Sequence, residues 1–518
     1  AGDAALADAA AGDAALADAA AGDAALADAA AGVPVDPGQP GWSWSPAQLR
    51  DLARSTAELM TDLLAAAGSG PVTRRPPPEL LATWATGRWD DAGVPAAQVL
   101  DEFAATVAPY PFGNAHPRFA AWVNSPPHPL GVAASALAAA MNPSVAGGNH
   151  AAVHLERQVV RWFTDLLGWG SESAGQLVSG GSAATLTALA AARRRAMTRA
   201  GIDDRRDGIG AAADPVVYAT AEAHSCATKA VEVLGIGSAR ISRVATDGGR
   251  AMDPGHLRRL LAADQAAGKL PIAVVASAGT VNTGAVDPLG DIAGVCAEHG
   301  VWLHVDGAYG APAVLLLEAW AAARAGLARA DSIALDPHKW LYAPVDAGLV
   351  LFRDAAIARD TFSLVPPYLR TGGDADEPAW FSEYGLEQTR PFRALKVWMQ
   401  LRHLGQDGYR RLIARDIAVA GALRSELDRA ADFEVLGHGL SVVCFRHLGP
   451  ARDEAGLDAH NEALLHALQA AGRVFLAGTR VDGRLALRAC IVNPAATTAD
   501  TRAILAEVRR CAPQPPAG

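Results

Sequence analysis

The chain has 518 residues, 50% of them hydrophobic and 19% charged, enough apolar material for a large core spread over two or three domains. Its formal charge of −10 argues against nucleic acid as the main partner. No stretch reaches the roughly 18 to 20 apolar residues of a membrane span. The five cysteines are scattered without a CxxC pair, which fits a reducing cytoplasm better than a disulfide framework or a metal site.

The first thirty residues are three copies of AGDAALADAA, each with two aspartates and no cation. A ten-residue period advances about 280° beyond whole helical turns, so Leu6, Leu16 and Leu26 spiral around the axis and make no stripe. The expectation is an acidic, disordered tail and linker over 1–43, the linker being rich in Gly and Pro. No basic stretch precedes an apolar run there, as a secretory signal would require.

Residues 44–129 read as a helical, proline-punctuated segment. Ser45-Pro46 is an N-cap followed by proline at the first helical position, predicting a helix over 49–67. The small apolar run 131–141 reads as a buried helix. From 130 to 403, helical stretches alternate with short apolar runs at 176–178, 216–219, 272–276, 301–305, 332–335 and 347–352. Such alternation predicts an α/β domain with a mostly parallel sheet covered on both faces. Residues 404–518, with strand candidates at 440–445 and 484–489, read as a smaller α+β domain.

Four polar residues follow four of these runs: His224, Thr280, Asp306 and Lys339. Open α/β sheets bind ligands along the carboxyl ends of their strands. Lys339 lies in Asp336-Pro337-His338-Lys339-Trp340. A lysine desolvated at a strand end is expected to have a lowered pKa and a nucleophilic amine, as a Schiff base to pyridoxal phosphate requires. Ser179-Gly180-Gly181-Ser182 opens a helical stretch, where backbone N–H groups and the helix dipole favour a phosphate. Asp306 is placed to keep a pyridine nitrogen protonated, with Gly307 and Ala308 small enough for a flat ring to lie over them, and His224 is a candidate to stack on the other ring face.

Together these motifs resemble the pyridoxal-phosphate-dependent group II amino-acid decarboxylases, which include aromatic-amino-acid, tyrosine and glutamate decarboxylases. The resemblance runs from His116-Pro117-Arg118-Phe119 through Leu487-Arg488 and Asn493-Pro494. It implies a fold type I (aspartate aminotransferase-like) enzyme with a seven-stranded sheet, a homodimer with its active site at the subunit interface, and an N-terminal helical segment packed on the partner. It further implies that Lys339 forms the Schiff base, Asp306 pairs with the pyridinium nitrogen and His224 stacks on the ring. Ala308 would lie beneath the ring, Thr280 near its 3′-oxygen, Gly181 and Ser182 at the phosphate, and His338 against cofactor or substrate. Two departures stand out: Ala183 replaces an acid common in the phosphate loop, and Gly307 replaces an alanine common after the aspartate.

Beyond the lysine, Tyr368 precedes a glycine- and acid-rich stretch at 371–377 whose composition predicts a mobile loop. By resemblance Tyr368 is the proton donor that favours decarboxylation over aldehyde formation. For the substrate, Trp122 offers an aromatic wall. Asn142 and Ser144 lie in a region that reaches the partner's pocket in the family, and Arg370 and Arg390 are candidate carboxylate partners. The reading puts an L-amino acid with an aromatic side chain slightly ahead of an acidic or small polar one. An aldehyde-forming oxidative deaminase and a non-catalytic binding module are the alternatives.

Overall fold

The structure is a computed structural model that describes residues 43–211, 214–364, 379–449 and 453–512. The acidic repeats, Tyr368 and Arg370 lie outside the described residues. The chain separates into two units, whose described parts are 43–65 with 74–111, and 66–73 with the residues from 112 onward.

The first unit contains α1 (Pro46–Ala65), α2 (Pro78–Thr86) and α3 (Ala96–Glu102), the last running into a π turn over Phe103–Val107. Ser45 caps α1: its hydroxyl accepts from the Gln48 N–H at 3.2 Å while the Gln48 side chain accepts from the Ser45 N–H at 2.8 Å. None of the residues in these helices is buried, and Leu49, Leu63, Leu81, Trp84 and Val99 are exposed.

In the second unit, α4 (Pro129–Met141) and α5 (Ala151–Leu166) precede β1 (Ala174–Val178), which leads directly into α6 (Gly181–Arg199). Next come β2 (Pro215–Ala219), α7 (Ser225–Val233), β3 (Ile241–Arg243), α8 (Pro254–Ala266), β4 (Leu270–Ser277), α9 (Leu289–His299) and β5 (Trp302–Asp306). Helices α10 (Ala311–Leu316) and α11 (Ala321–Leu327) lead to β6 (Ser332–Leu335), β7 (Gly348–Phe352) and α12 (Ala355–Phe362). The seven strands form one sheet in the order β1-β7-β6-β5-β4-β2-β3, with only β7 antiparallel to its neighbours.

The strands are near-continuous apolar runs because both faces are covered. Val216, Tyr218, Val274, Leu303, Val305, Ile333 and Leu349 join the core on one face, and Val217, Ala219, Ala273, Val275, Ala334 and Val350 that on the other. The 131–141 run forms a helix as expected, but it is not a buried one. Only Gly131 and Ala134 of α4 are buried, while Leu137 and Met141 are 54% and 58% exposed. The cause is one-sided packing: α4 lies against the long helix α13 (Ala394–Asp428), where a side chain at Gly131 would collide with Gln400.

Helix α13 kinks at Gly405, whose φ of 60° is left-handed, one residue past the expected start of the smaller domain. Beyond it, β8 (Phe433–Gly439), β9 (Val442–His447), β10 (Ala477–Val481) and β11 (Arg484–Cys490) form an antiparallel sheet in the order β10-β11-β9-β8. Its inner face (Val443, Phe445, Leu487, Ala489) packs on Leu464 and Leu468 of α14 (Glu454–Ala471) and on Ile504 and Val508 of α15 (Thr498–Cys511). Among the described residues, no helix is long and apolar enough to cross a membrane.

Candidate active site

Because β2, β4, β5 and β6 run parallel, their carboxyl ends share one edge of the sheet. A cavity of about 630 Å³ opens there, and its walls include Gly180, Gly181, Ser182, Ala183, His224, Cys226, Asp306, Ala308, Asp336, His338 and Lys339. The loop after β1 and three of the four strand-end positions therefore meet, as the spacing predicts. Thr280 does not join them. It is buried, and its hydroxyl is engaged within its own loop with Thr283 (3.2 Å) and the Ala285 N–H (3.0 Å), while Ser277 and Gly279 line the cavity instead.

Lys339 Nζ lies 3.0 Å from Asp336 Oδ2. Burial pulls the amine's pKa down, but the charges of Asp336 and Asp306 and the hydrogen bond with Asp336 outweigh it, so the net direction is up. The expected lowering is thus overturned: desolvation is present, and two carboxylates more than offset it. His338 holds its Nδ1 at 2.7 Å from the Ala347 carbonyl and its Nε2 at 3.8 Å from Asp336. Burial lowers the pKa of His338.

His224 sits ahead of α7 and accepts the Cys226 N–H on Nδ1 at 3.1 Å. Burial, outweighing the attraction of Asp306, lowers its pKa, which favours a neutral ring. Asp306 accepts from the Ala308 N–H at 3.1 Å and lies 3.7 Å from the Cys226 thiol. That thiol also contacts Thr185 (3.8 Å), which reaches His304 and through it Ser332, a buried chain of side chains behind the carboxylate.

The residues fit pyridoxal phosphate. Helix α6 makes its first internal bond from Ala184 N–H to the Gly180 carbonyl, so, among the described residues, the three N–H groups before it have no intrahelical partner and are left for an anion. A Cβ at Gly181 would stand 2.8 Å from the Ala308 Cβ and 3.0 Å from Asp336 Oδ2, so glycine leaves the room. A lysine, a carboxylate and an imidazole border the same cavity.

Trp122 forms part of the cavity wall in a left-handed conformation (φ 51°) and is 46% exposed. It stacks on Phe112 (5.6 Å, 12°) and touches Phe119 and Phe475. Asn142, the C-cap of α4, and Ser144 are exposed and do not line this cavity. Arg390 is fully buried against Glu156 and bonded to the Val145 and Leu177 carbonyls, so it supports β1 rather than facing the cavity.

Arg488 had no assigned role in the sequence reading. It lines the cavity, is buried, donates to the Trp122 carbonyl (2.9 Å) and the Asn282 carbonyl (3.1 Å), and has no partner for Nη2 among the described residues. The available signal was an arginine inside an otherwise apolar strand. Asn282 and Thr479, joined at 2.6 Å, also line the cavity and carried no such signal.

A mostly parallel seven-stranded sheet with a lysine, an aspartate and a glycine-opened helix at one strand edge defines a fold type I pyridoxal-phosphate enzyme. The model of the pyridoxal-dependent decarboxylase conserved domain matches residues 86–448. An aromatic-L-amino-acid decarboxylase of Bacillus atrophaeus is 32% identical over 475 residues, spanning 90% of this chain and 96% of that protein. An L-2,4-diaminobutyrate decarboxylase of Rhizobium meliloti (strain 1021) is also 32% identical, over 79% of this chain and 80% of the relative. The solved structure of Oryza sativa TDC with PLP and tryptamine superposes with a TM-score of 0.84 at 27% identity, over 91% of this chain and 99% of that one. The chain belongs to the pyridoxal-phosphate-dependent amino-acid decarboxylase family, whose members are carboxy-lyases.

Proposed function

We propose that this protein removes the α-carboxylate of an aromatic L-amino acid as carbon dioxide and releases the amine. The observation that carries the substrate class is the Trp122 wall, an exposed indole stacked on Phe112 at the cavity and ready to cover an aromatic side chain. The aromatic-L-amino-acid decarboxylase relative supports the same class. The diaminobutyrate relative, equally identical, makes the substrate a matter for direct assay.

Pyridoxal phosphate supplies an electron sink for the pair left on Cα when the carboxylate departs. Lys339 would hold the cofactor covalently, and Asp336 holds its amine in place. Asp306 holds a proton at the pyridine nitrogen, supported from behind by Cys226. His224 and Ala308 would confine the ring of the cofactor, and the N–H groups at the start of α6 would hold its phosphate. Arg488 offers its spare Nη2 to a carboxylate of the substrate. Tyr368, outside the described residues, would supply the proton to Cα and so favour amine over aldehyde.

We also place the enzyme in a reducing cytoplasm, in keeping with its five free cysteines, and as a homodimer. The exposed apolar residues of α1, α2 and α4 support the dimer, since each helix shows large side chains that none of the described residues buries. A panel of L-amino acids assayed for carbon dioxide, amine, aldehyde and peroxide tests the activity. Tryptophan, tyrosine or phenylalanine should give amine and carbon dioxide in equal amounts; stoichiometric peroxide, or turnover confined to acidic or basic substrates, overturns the proposal.

A further inference from the structure

A second cavity, of about 210 Å³, opens at the amino ends of β5 and β6, the edge of the sheet opposite Lys339. Four arginines border it: Arg195 and Arg199 one turn apart on α6, Arg329 after α11, and Arg353 after β7. Asp331 is the one carboxylate bordering it among the described residues. The chain as a whole carries a formal charge of −10, so this concentration of positive charge runs against its composition.

Asp331 does not balance the group. Its Oδ1 takes Arg195 at 3.1 Å and Arg353 at 2.8 Å, and its Oδ2 accepts the Leu303 N–H at 2.8 Å. Arg199 and Arg329 have no carboxylate partner among the described residues. They donate instead to the Gly300 carbonyl (2.9 Å) and the Gly290 carbonyl (3.0 Å). A guanidinium has five N–H donors, so one such bond orients each fork and leaves most of it unused among the described residues. Like charges four apart on a helix also repel. Burial lowers the Arg195 pKa, and the charges of Arg199 and Arg353 add to this against the pull of Asp331. Arg195 is kept there by the Trp302 ring, over which its guanidinium lies at 4.5 Å. Repulsion is thus built into the cavity, and an anion relieves it.

We infer that this cavity binds a phosphate dianion, either the free ion or the phosphate of a small monoester. At about 30 Å³ per water the space holds roughly seven, which is room for a phosphate group. Planar forks that border it from three segments suit a tetrahedral anion with several oxygens better than a planar carboxylate. Asp331 holds the start of β5 through Leu303 and pairs with arginines of α6 and of the residue after β7, so the bound ion fastens those elements together. The site is independent of the reaction performed at the other edge of the sheet.

The experiment uses the full chain saturated with pyridoxal phosphate, so that the phosphate position at the start of α6 is filled. At about pH 8, where phosphate is a dianion, one equivalent of inorganic phosphate should bind by calorimetry. It should also raise the melting temperature above that in chloride at the same ionic strength. Arg199→Gln and Arg329→Gln should each weaken phosphate binding about 10- to 100-fold. Arg502→Gln, on α15 and paired with Glu426 away from the cavity, should leave binding unchanged. Melting in chloride reports that each variant folds. Glucose 6-phosphate identifies the source: binding tighter than that of inorganic phosphate assigns the site to a phosphorylated metabolite, binding no tighter assigns it to the free ion, and both support the site. No phosphate-specific binding by the wild type, or binding that Arg199→Gln and Arg329→Gln both retain in full, overturns it.

Discussion

Lys339 is flanked by two side chains with different tasks. His338 faces the cavity, whereas Trp340 points into the core, stacks on Tyr309 (5.0 Å, 17°) and donates its indole N–H to Asp416 at 2.8 Å. Asp416 also accepts from the Tyr342 hydroxyl at 2.9 Å. Trp340 thereby pins the backbone of its neighbour, and Lys339→Ala should leave the fold intact while abolishing both the visible absorbance of bound cofactor and turnover. Absorbance and activity measured together check this, and retained turnover would refute the assignment. Burial, only partly offset by those two hydrogen bonds, pushes the Asp416 carboxyl up to about 7. Its folded pKa exceeds the unfolded value near ~3.9, so its contribution to stability is complete below about pH 4 and is lost as pH rises through about 7. Asp416→Asn keeps an oxygen for both donors. Its melting temperature should therefore gain on the wild type as pH rises from about 5 to about 8, by on the order of a few kcal/mol in stability. Melting curves across that range decide it, and a difference independent of pH would refute it. The His-Lys pair was legible in the sequence because its chemistry is local. The partner at Asp416 was not, because a buried hydrogen bond across 76 positions leaves no mark on either segment.

At the scale of elements, β1 is the strand that aims the phosphate loop, and a buried ion pair holds it. Glu156 of α5 accepts from the Leu177 N–H (2.8 Å) and pairs with Arg390, which in turn donates to the Leu177 carbonyl. Glu156→Gln leaves the guanidinium buried with weaker compensation and should cost about 3 kcal/mol. The end of β1 should loosen as well, so the cofactor dissociation constant should rise along with the denaturant sensitivity. An unchanged dissociation constant would confine the pair to stability. The strands β2, β4, β5, β6 and β7 were readable because burial on both faces writes an unbroken apolar run. Strands β3, β8 and β10 escaped for the opposite reason. The first has three residues with none buried, and the other two carry glycine or charge on an open face. The misreading of α4 has the same origin, since a helix of alanines looks buried in sequence whether or not a neighbour covers it.

At the scale of the whole molecule, the dimer proposed above would give a second copy as cover for apolar residues that α1, α2 and α4 each leave exposed among the described residues. Sedimentation of the full chain should give a dimer, and charged substitutions at Leu137 and Met141 should shift it toward monomer and lower its cofactor retention. A monomer in the wild type would remove that reading. Composition and period foretold a layered α/β body and the strand-end site, because both follow from which residues seek cover. They are silent on any surface for a second copy, because an exposed leucine and a leucine awaiting a partner are spelled alike.

The hydrogen bond from Arg488 to the Trp122 carbonyl joins positions 366 residues apart. It ties the wall of the cavity to a strand that is made after every strand of the large sheet. During translation, most of the large sheet is complete while β11 is still unmade, so the chain passes through a long interval in which Lys339 exists but its enclosure does not. The Arg488 part of the cavity wall is therefore added only after the large sheet and its lysine have been made.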